Sequence, residues 1–289
     1  MYKTHYIKAD KAKLHVLVAG RGKPVLFLHG GPGNGTGPHH FDYFDLRQHK
    51  VFLLDQRGCG KSTGDLKTNT TQQLIKDINV VLDHFDIDKV NLFGGSWGST
   101  LALTYAITHP QRVNKMIVYA IWLVGKADEQ HMMHTAKQFF PDEYQRMLSA
   151  VPSKHKALPH VYLWRQTVRG DRRSAKAIMR WMGRIIRPQL TTKQLDEGMQ
   201  DFDMRSATIE AYYMLNKCFL PKDFIINNTK KITHIPTSIF HGTYDFICPP
   251  NDAHRLHALL KKSTLHMLPV NHGGSPMKKE LKVAAKDLF

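Results

Sequence analysis

Four short, nearly continuous apolar runs recur in the first part of the chain: Val25-Leu26-Phe27-Leu28, Val51-Phe52-Leu53-Leu54, Val90-Asn91-Leu92-Phe93 and Met116-Ile117-Val118-Tyr119. A strand with one wet face alternates apolar and polar residues, whereas a run that is apolar at nearly every position must be covered on both faces. Helical spacing fills the intervals. Leu74, Ile78, Val81, Leu82 and Phe85 share one side of residues 71–85, and a second helical stretch runs from Thr100 to His109. This alternation predicts an α/β protein with a mostly parallel central sheet flanked by helices.

The pattern then changes. From about Trp122 to Ile235, strand-like runs give way to helical stretches rich in Met, Arg and aromatic residues, interrupted by Pro141, Pro152, Pro159, Pro188 and Pro221. Strand character resumes at Thr237-Ser238-Ile239-Phe240 and at Thr264-Leu265-His266-Met267-Leu268, and Met277 to Phe289 reads as a closing helix. The expected organisation is one sheet core built from residues 1–121 and 236–289, with residues 122–235 inserted as a helical cap, or lid. A chain of 289 residues is long enough for such a core plus insertion.

Chemistry concentrates at the ends of these strands. Gly94-Gly95-Ser96-Trp97-Gly98 joins an apolar strand to a helix and carries the pattern G-x-S-x-G. A serine at so tight a turn needs a strained backbone and small neighbours, and it projects its hydroxyl above the sheet beside a helix N-terminus. A hydroxyl is a weak nucleophile near neutrality and requires a base. The expected fold, an α/β-hydrolase fold, supplies an acid and then a histidine after later strands. Asp245, in His241-Gly242-Thr243-Tyr244-Asp245, follows one resumed strand, and His272, in Asn271-His272-Gly273-Gly274, follows the next. Eighteen histidines occur in the chain, so position rather than residue type selects His272. The candidate triad is Ser96, Asp245 and His272. Negative charge developing on a carbonyl oxygen needs preorganised donors. The N–H of Trp97 is one candidate, and the second is the N–H of Gly31, in His29-Gly30-Gly31-Pro32-Gly33, where Pro32 has no N–H to offer. No G-K-[ST] follows these glycines, which disfavours a phosphate-binding loop.

Composition narrows the partners. The 41 Lys and Arg against 24 Asp and Glu give a formal charge of +17, yet the basic residues are scattered in short pairs such as Arg172-Arg173 and Lys230-Lys231. Without an arginine-rich tract or interleaved aromatics, they read as solvated faces, and no specific nucleic-acid partner is expected. No run approaches the ~20 apolar residues of a membrane helix, and the start lacks a signal-like apolar stretch. Cys59, Cys218 and Cys248 are widely spaced, with no CxxC pair. Neither a metal site nor a disulfide framework is suggested, so the expectation is a cytoplasmic protein without cofactor or metal, acting on a small peptide or ester.

Four blocks carry a closer likeness: HGGPG at His29 to Gly33, DQRGCGKS at Asp55 to Ser62, GGSWGSTL at Gly94 to Leu101 and HGTYDFICP at His241 to Pro249. In these the chain resembles the proline iminopeptidase (prolyl aminopeptidase) family of α/β-hydrolases. The resemblance implies metal-independent release of an N-terminal residue, typically proline, from short peptides. It also implies a lid that supplies acidic groups for the substrate's free amine. Glu210, in Thr208-Ile209-Glu210-Ala211-Tyr212-Tyr213, falls where the family has a Glu followed by aromatics, and is the candidate amine anchor. Two departures stand out. Met182, in Trp181-Met182-Gly183, occupies the position of a second family Glu, and Asn271-His272-Gly273 replaces the usual Gly-His-Ser.

Three functional readings follow. The first is an aminopeptidase working through an acyl-enzyme. The second is an esterase, amidase or lactone hydrolase with the same triad, which Met182 favours and Glu210 opposes. The third is a noncatalytic binding protein on a hydrolase scaffold, supported by the basic charge and opposed by the complete triad.

Overall fold

The computed structural model describes residues 1–273 and 275–289, so Gly274 of the histidine loop lies outside the described residues. The chain opens with β1 (Lys3–Ala9), β2 (Ala12–Gly20), β3 (Lys23–Leu28) and β4 (His49–Leu54). Then come α1 (Thr71–His84), β5 (Val90–Gly95), α2 (Trp97–Thr108) and β6 (Val113–Tyr119). The strand order is β1-β2-β4-β3-β5-β6 followed by two later strands, β7 (Thr237–Gly242) and β8 (Ser263–Leu268). The pairs β1–β2 and β2–β4 are antiparallel, and every other pair is parallel.

The four early apolar runs are the buried centres of β3, β4, β5 and β6. Their side chains divide by parity, as a pleated strand requires. Leu26, Leu28, Phe52, Leu54 and Leu92 face one side and pack on α1 and α2, while Val25, Phe27, Val51, Leu53 and Phe93 face the other. There they meet the terminal helix (Lys278–Leu288) through Leu281 and Ala285. Each face is covered, which is why the runs lack alternation.

Between β6 and β7 the chain folds over the sheet as α3 (Lys126–Gln130), α4 (Pro141–Leu148), α5 (Pro159–Val168), α6 (Arg172–Ile186), α7 (Thr192–Gly198), α8 (Met204–Leu215) and α9 (Phe224–Asn228). Pro141 and Pro159 start helices instead of breaking them, because a fixed φ and a missing N–H cost nothing in the first turn. Met133, Leu163, Trp181 and Ile185 form a core of their own, and Phe246 and Ile247, just past β7, pack against it. After β7 come α10 (Pro250–Leu259), β8 and the terminal α11 (Lys278–Leu288).

One buried ion pair locks the loop after β4 to α1. Arg57 is fully buried and grips Asp77 in a fork, Nε to Oδ2 at 2.8 Å and one terminal nitrogen to Oδ1 at 2.6 Å. Its other terminal nitrogen donates to the Asp10 carbonyl at 2.6 Å. Removing one partner strands a buried charge, at a cost of about 3–5 kcal/mol. Asp77→Ala is therefore expected to lower the melting temperature by roughly 10 °C, read by thermal unfolding. A shift of less than about 2 °C would show that the pair contributes little.

Candidate active site

Ser96 follows directly on β5 in a positive-φ conformation, φ 55° and ψ −127°, and α2 begins at the next residue. This is three residues earlier than the helical pattern starting at Thr100 suggests, because the turn passes directly into helix. The turn is held by the Ser96 N–H donating to the Tyr119 carbonyl at 3.0 Å, and by the Ser96 carbonyl accepting from the Ser99 N–H and hydroxyl at 2.8 and 2.7 Å. Close approach dictates the flanking glycines. A Cβ on Gly95 would lie 2.0 Å from the Tyr119 ring, and one on Gly98 would lie 2.1 Å from the Leu28 carbonyl oxygen. Such contacts leave no room for a side chain, so the motif is a packing requirement as well as a chemical one.

The same close packing of α2 on the end of β3 sets the glycine loop beside Ser96. A Cβ on Gly30 would come within 3.5 Å of the Ser96 Cβ. Gly31 has φ +113° and lines the same cavity as Ser96. Among the described residues the N–H groups of Gly31 and Trp97 donate to no other protein group, leaving both available to a ligand.

A residue that sequence reasoning passed over ties these two donors together. Gln56 accepts from the Trp97 indole N–H at 2.8 Å, donates its amide to the His29 carbonyl at 2.8 Å, and donates its own backbone N–H to His29 Nε2 at 3.1 Å. His29 then donates from Nδ1 to the Gly30 carbonyl at 2.9 Å, and burial holds it neutral by lowering its pKa. Asp55, next door, accepts from Thr36 N–H and hydroxyl, Lys61 N–H and His15 Nδ1 at 2.6–2.8 Å. The DQRG block thus fixes the glycine loop against the serine turn. Its signal lay in the family likeness, not in spacing.

Asp245 and His272 meet directly. Asp245 Oδ2 accepts from His272 Nδ1 at 2.7 Å, and Oδ1 accepts from the N–H groups of Ile247 and Cys248, both at 2.9 Å. Burial works against ionisation, yet His272, His241 and the Cys248 N–H together hold the Asp245 carboxyl below its ordinary pKa. An anionic Asp245 fixes the proton on Nδ1 and leaves the His272 Nε2 lone pair free. His241, also unforeseen, accepts the Ile121 N–H on Nδ1 at 3.0 Å and donates from Nε2 to the Cys248 carbonyl at 3.2 Å. It bolts the loop carrying Asp245 to the end of β6.

Ser96 and His272 share no hydrogen bond among the described residues. In free enzymes such contacts are commonly long and tighten with substrate. Cys248 connects the two halves: it lines the cavity with Ser96, and its sulfur lies within 4.8 Å of the facing Asp245 and His272 atoms.

The cavity above Ser96 has a volume of about 310 Å³. Trp122, Met132, Trp164, Met182 and Met214 make its walls apolar. Glu210, on α8, projects into it, buried and without a hydrogen-bond partner among the described residues, and burial pushes its carboxyl up to about 7. Met182 faces the same space from α6. A further acid, Asp128 on α3, lines the cavity and lies beside Asp252 on α10, and among the described residues one oxygen of each carboxyl has no hydrogen-bond partner. Burial and the neighbouring carboxyl push the Asp128 pKa up, and burial raises that of Asp252 as well.

Residues 23–274 match the family model described as the alpha/beta hydrolase fold. A Leptolyngbya boryana protein named "Probable proline iminopeptidase" is 38% identical over 260 residues, covering 86% of this chain and 80% of the relative. The proline iminopeptidase of Arabidopsis thaliana is 36% identical over 258 residues, covering 86% of this chain and 68% of the relative. In three dimensions the chain is similar to an esterase from Exiguobacterium antarcticum, with TM-score 0.68, 20% identity and 99% of each chain covered, a likeness of fold alone. No described helix is long and apolar enough to cross a membrane.

Proposed function

The chain belongs to the proline iminopeptidase family of α/β-hydrolases, and from that premise we propose that it releases the N-terminal residue, proline or another apolar one, from short peptides through an acyl-enzyme on Ser96. Residues 122–235 act in this reading as the lid of the reaction chamber. Ser96 Oγ attacks the carbonyl of the first residue while His272 Nε2 takes its proton. The N–H groups of Gly31 and Trp97 receive the oxyanion, and Asp245 stabilises the imidazolium. His272 then gives the proton to the departing amine, and a water molecule, activated by the same imidazole, hydrolyses the ester.

The observation that carries the aminopeptidase reading is Glu210: a buried, unpartnered carboxyl in the same small cavity as Ser96. Burial of an unpaired acid is costly, and a substrate ammonium would complete it. Three buried free thiols, Cys59, Cys218 and Cys248, support a reducing, cytoplasmic setting. Met182 supports the second reading, an esterase or amidase indifferent to the amine, because it puts an apolar group where a second carboxylate would stand. Aminoacyl arylamides and their N-acetylated counterparts separate the two. Acetylation is expected to reduce kcat/KM at least 100-fold, and equal turnover of both forms would overturn the aminopeptidase reading.

A further inference from the structure

The ionisable groups that line the cavity differ in exposure. Toward the interior stand the buried carboxyls Glu210 and Asp128, while the exposed residues Lys126, Lys217 and Lys222 stand at the mouth. Among the described residues, lysine ion pairs join Lys193 to Glu197 and Lys278 to Asp42, leaving these three lysines free. Two acids share their neighbourhood. Glu129 lines the mouth and accepts from His160 at 2.8 Å, a histidine whose pKa burial lowers and which therefore supplies no cation. The Asp223 Oδ1 would lie 3.8 Å from a Cβ on Gly125, so three lysines face two acids there. That last proximity also shows that the segments bearing Lys126 and Lys222 are neighbours.

The backbone under these lysines is unusual. Lys217, Cys218 and Phe219 are consecutive left-handed residues, with φ of 49°, 51° and 54°. Val124 and Asp223, beside the other two lysines, are left-handed as well, at 59° and 54°. Such conformations persist only where surrounding contacts over-determine them, and they gather at ligand clamps. Here α1 supplies those contacts: Thr71 Oγ1 donates to the Cys218 carbonyl at 2.5 Å and Gln72 Nε2 to the Phe219 carbonyl at 2.6 Å. Lys217 is therefore held at the rim on a fixed turn rather than on a free loop.

A cavity with buried carboxyls inside, ready to receive an ammonium, and cations at its mouth matches a ligand with an amine at one end and an anion at the other. We infer that the preferred substrates are very short peptides with a free C-terminal carboxylate, which Lys126, Lys217 and Lys222 capture while Glu210 holds the ammonium. The inference rests on the aminopeptidase reading above and adds to it a limit on length and a requirement for the second charge. A volume of about 310 Å³ is at the small end for ligand pockets, so a dipeptide or tripeptide spans it from floor to rim. Rim charges act through attraction that salt screens, whereas the buried Glu210 is far less sensitive to salt.

The test compares prolyl-glycine with prolyl-glycinamide, and uses proline arylamide as a reference lacking any carboxylate. At low ionic strength the free acid is expected to be cleaved with about tenfold higher kcat/KM than the amide, and the ratio should shrink toward one at 0.5 M salt. In the triple variant Lys126→Gln, Lys217→Asn, Lys222→Gln the ratio should fall below about two at any salt, with arylamide turnover within twofold of wild type. Asparagine is used at position 217 because it tolerates left-handed backbone. Equal cleavage of acid and amide by the wild type, or an undiminished preference in the variant, would overturn the inference while leaving the aminopeptidase reading standing. Failure to cleave any of the three substrates, with simple esters still hydrolysed, would remove that reading and this inference with it.

Discussion

Ser96→Ala is expected to lower kcat roughly 10⁴-fold or more while leaving the fold intact, and His272→Ala to do the same. The effect is large because the members of a triad act as one unit: without the hydroxyl there is no acyl-enzyme, and without the imidazole the hydroxyl keeps its proton. Stability distinguishes the two variants. Alanine at position 96 retains the strain of φ 55°, so its melting temperature should stay near wild type. Ser96→Gly should be equally inactive yet more stable, by about 1–2 kcal/mol, since glycine adopts that conformation freely. His272→Ala leaves Asp245 buried without its 2.7 Å partner, and should lose about 2–5 kcal/mol near neutral pH. The sign can be checked by titration. With His272 present, the lowered Asp245 pKa contributes stability above its ordinary value of 3.8, lost as pH falls through the folded value. The alanine variant should lose most of that dependence. Fluorophosphonate labelling of the wild type, abolished in Ser96→Ala, reports the nucleophile directly. Near-normal turnover by either alanine variant would refute the assignment.

How much of this was legible in the sequence depended on where each constraint acts. The parallel strands were readable because burial on both faces leaves an unbroken apolar run, as in Val51 to Leu54. The serine turn was readable because Gly95 and Gly98 have no space for a Cβ, so the backbone demand is written in residue type. The hairpin of β1 and β2 was missed: Lys3 to Ala9 is a half-exposed edge strand whose lysines and tyrosine mask any apolar run. Gln56 and His241 were also invisible as functional parts. Their roles come from partners 41 and 120 residues away in the chain, and no local period records such contacts. Nor could spacing show that Asp128, on the first inserted helix, and Asp252, on the helix after β7, would be buried neighbours. Local geometry writes itself into sequence, whereas convergence of distant side chains does so only through likeness to relatives.

Glu210→Gln is the second large effect, and it runs in opposite directions for activity and stability. The Glu210 carboxyl lies at about 7 because burial strips its water and no described partner replaces it. An anchor for ammonium must be ionised, so KM for free-amine substrates should fall as pH rises through about 7, while KM for an N-acetylated ester stays flat. The glutamine variant keeps the shape but never the charge, and removing one member of a desolvated pair costs about 2–5 kcal/mol. On aminoacyl arylamides kcat/KM should accordingly drop by about 100-fold or more above pH 7, with ester turnover within a few-fold of wild type. Stability moves the other way. Because the folded pKa is raised above the ordinary 4.5, the contribution of Glu210 is fully present below that value and is lost as pH rises through about 7. At roughly 1.4 kcal/mol per unit, wild type should lose about 3 kcal/mol that the glutamine variant retains, and by about pH 8 Glu210→Gln should melt higher. A variant less active on amines and more stable in alkali identifies a carboxylate kept at an energetic disadvantage for binding. If Glu210→Gln instead melts lower at every pH, or loses activity equally on blocked and unblocked substrates, the side chain holds the helices together and anchors nothing.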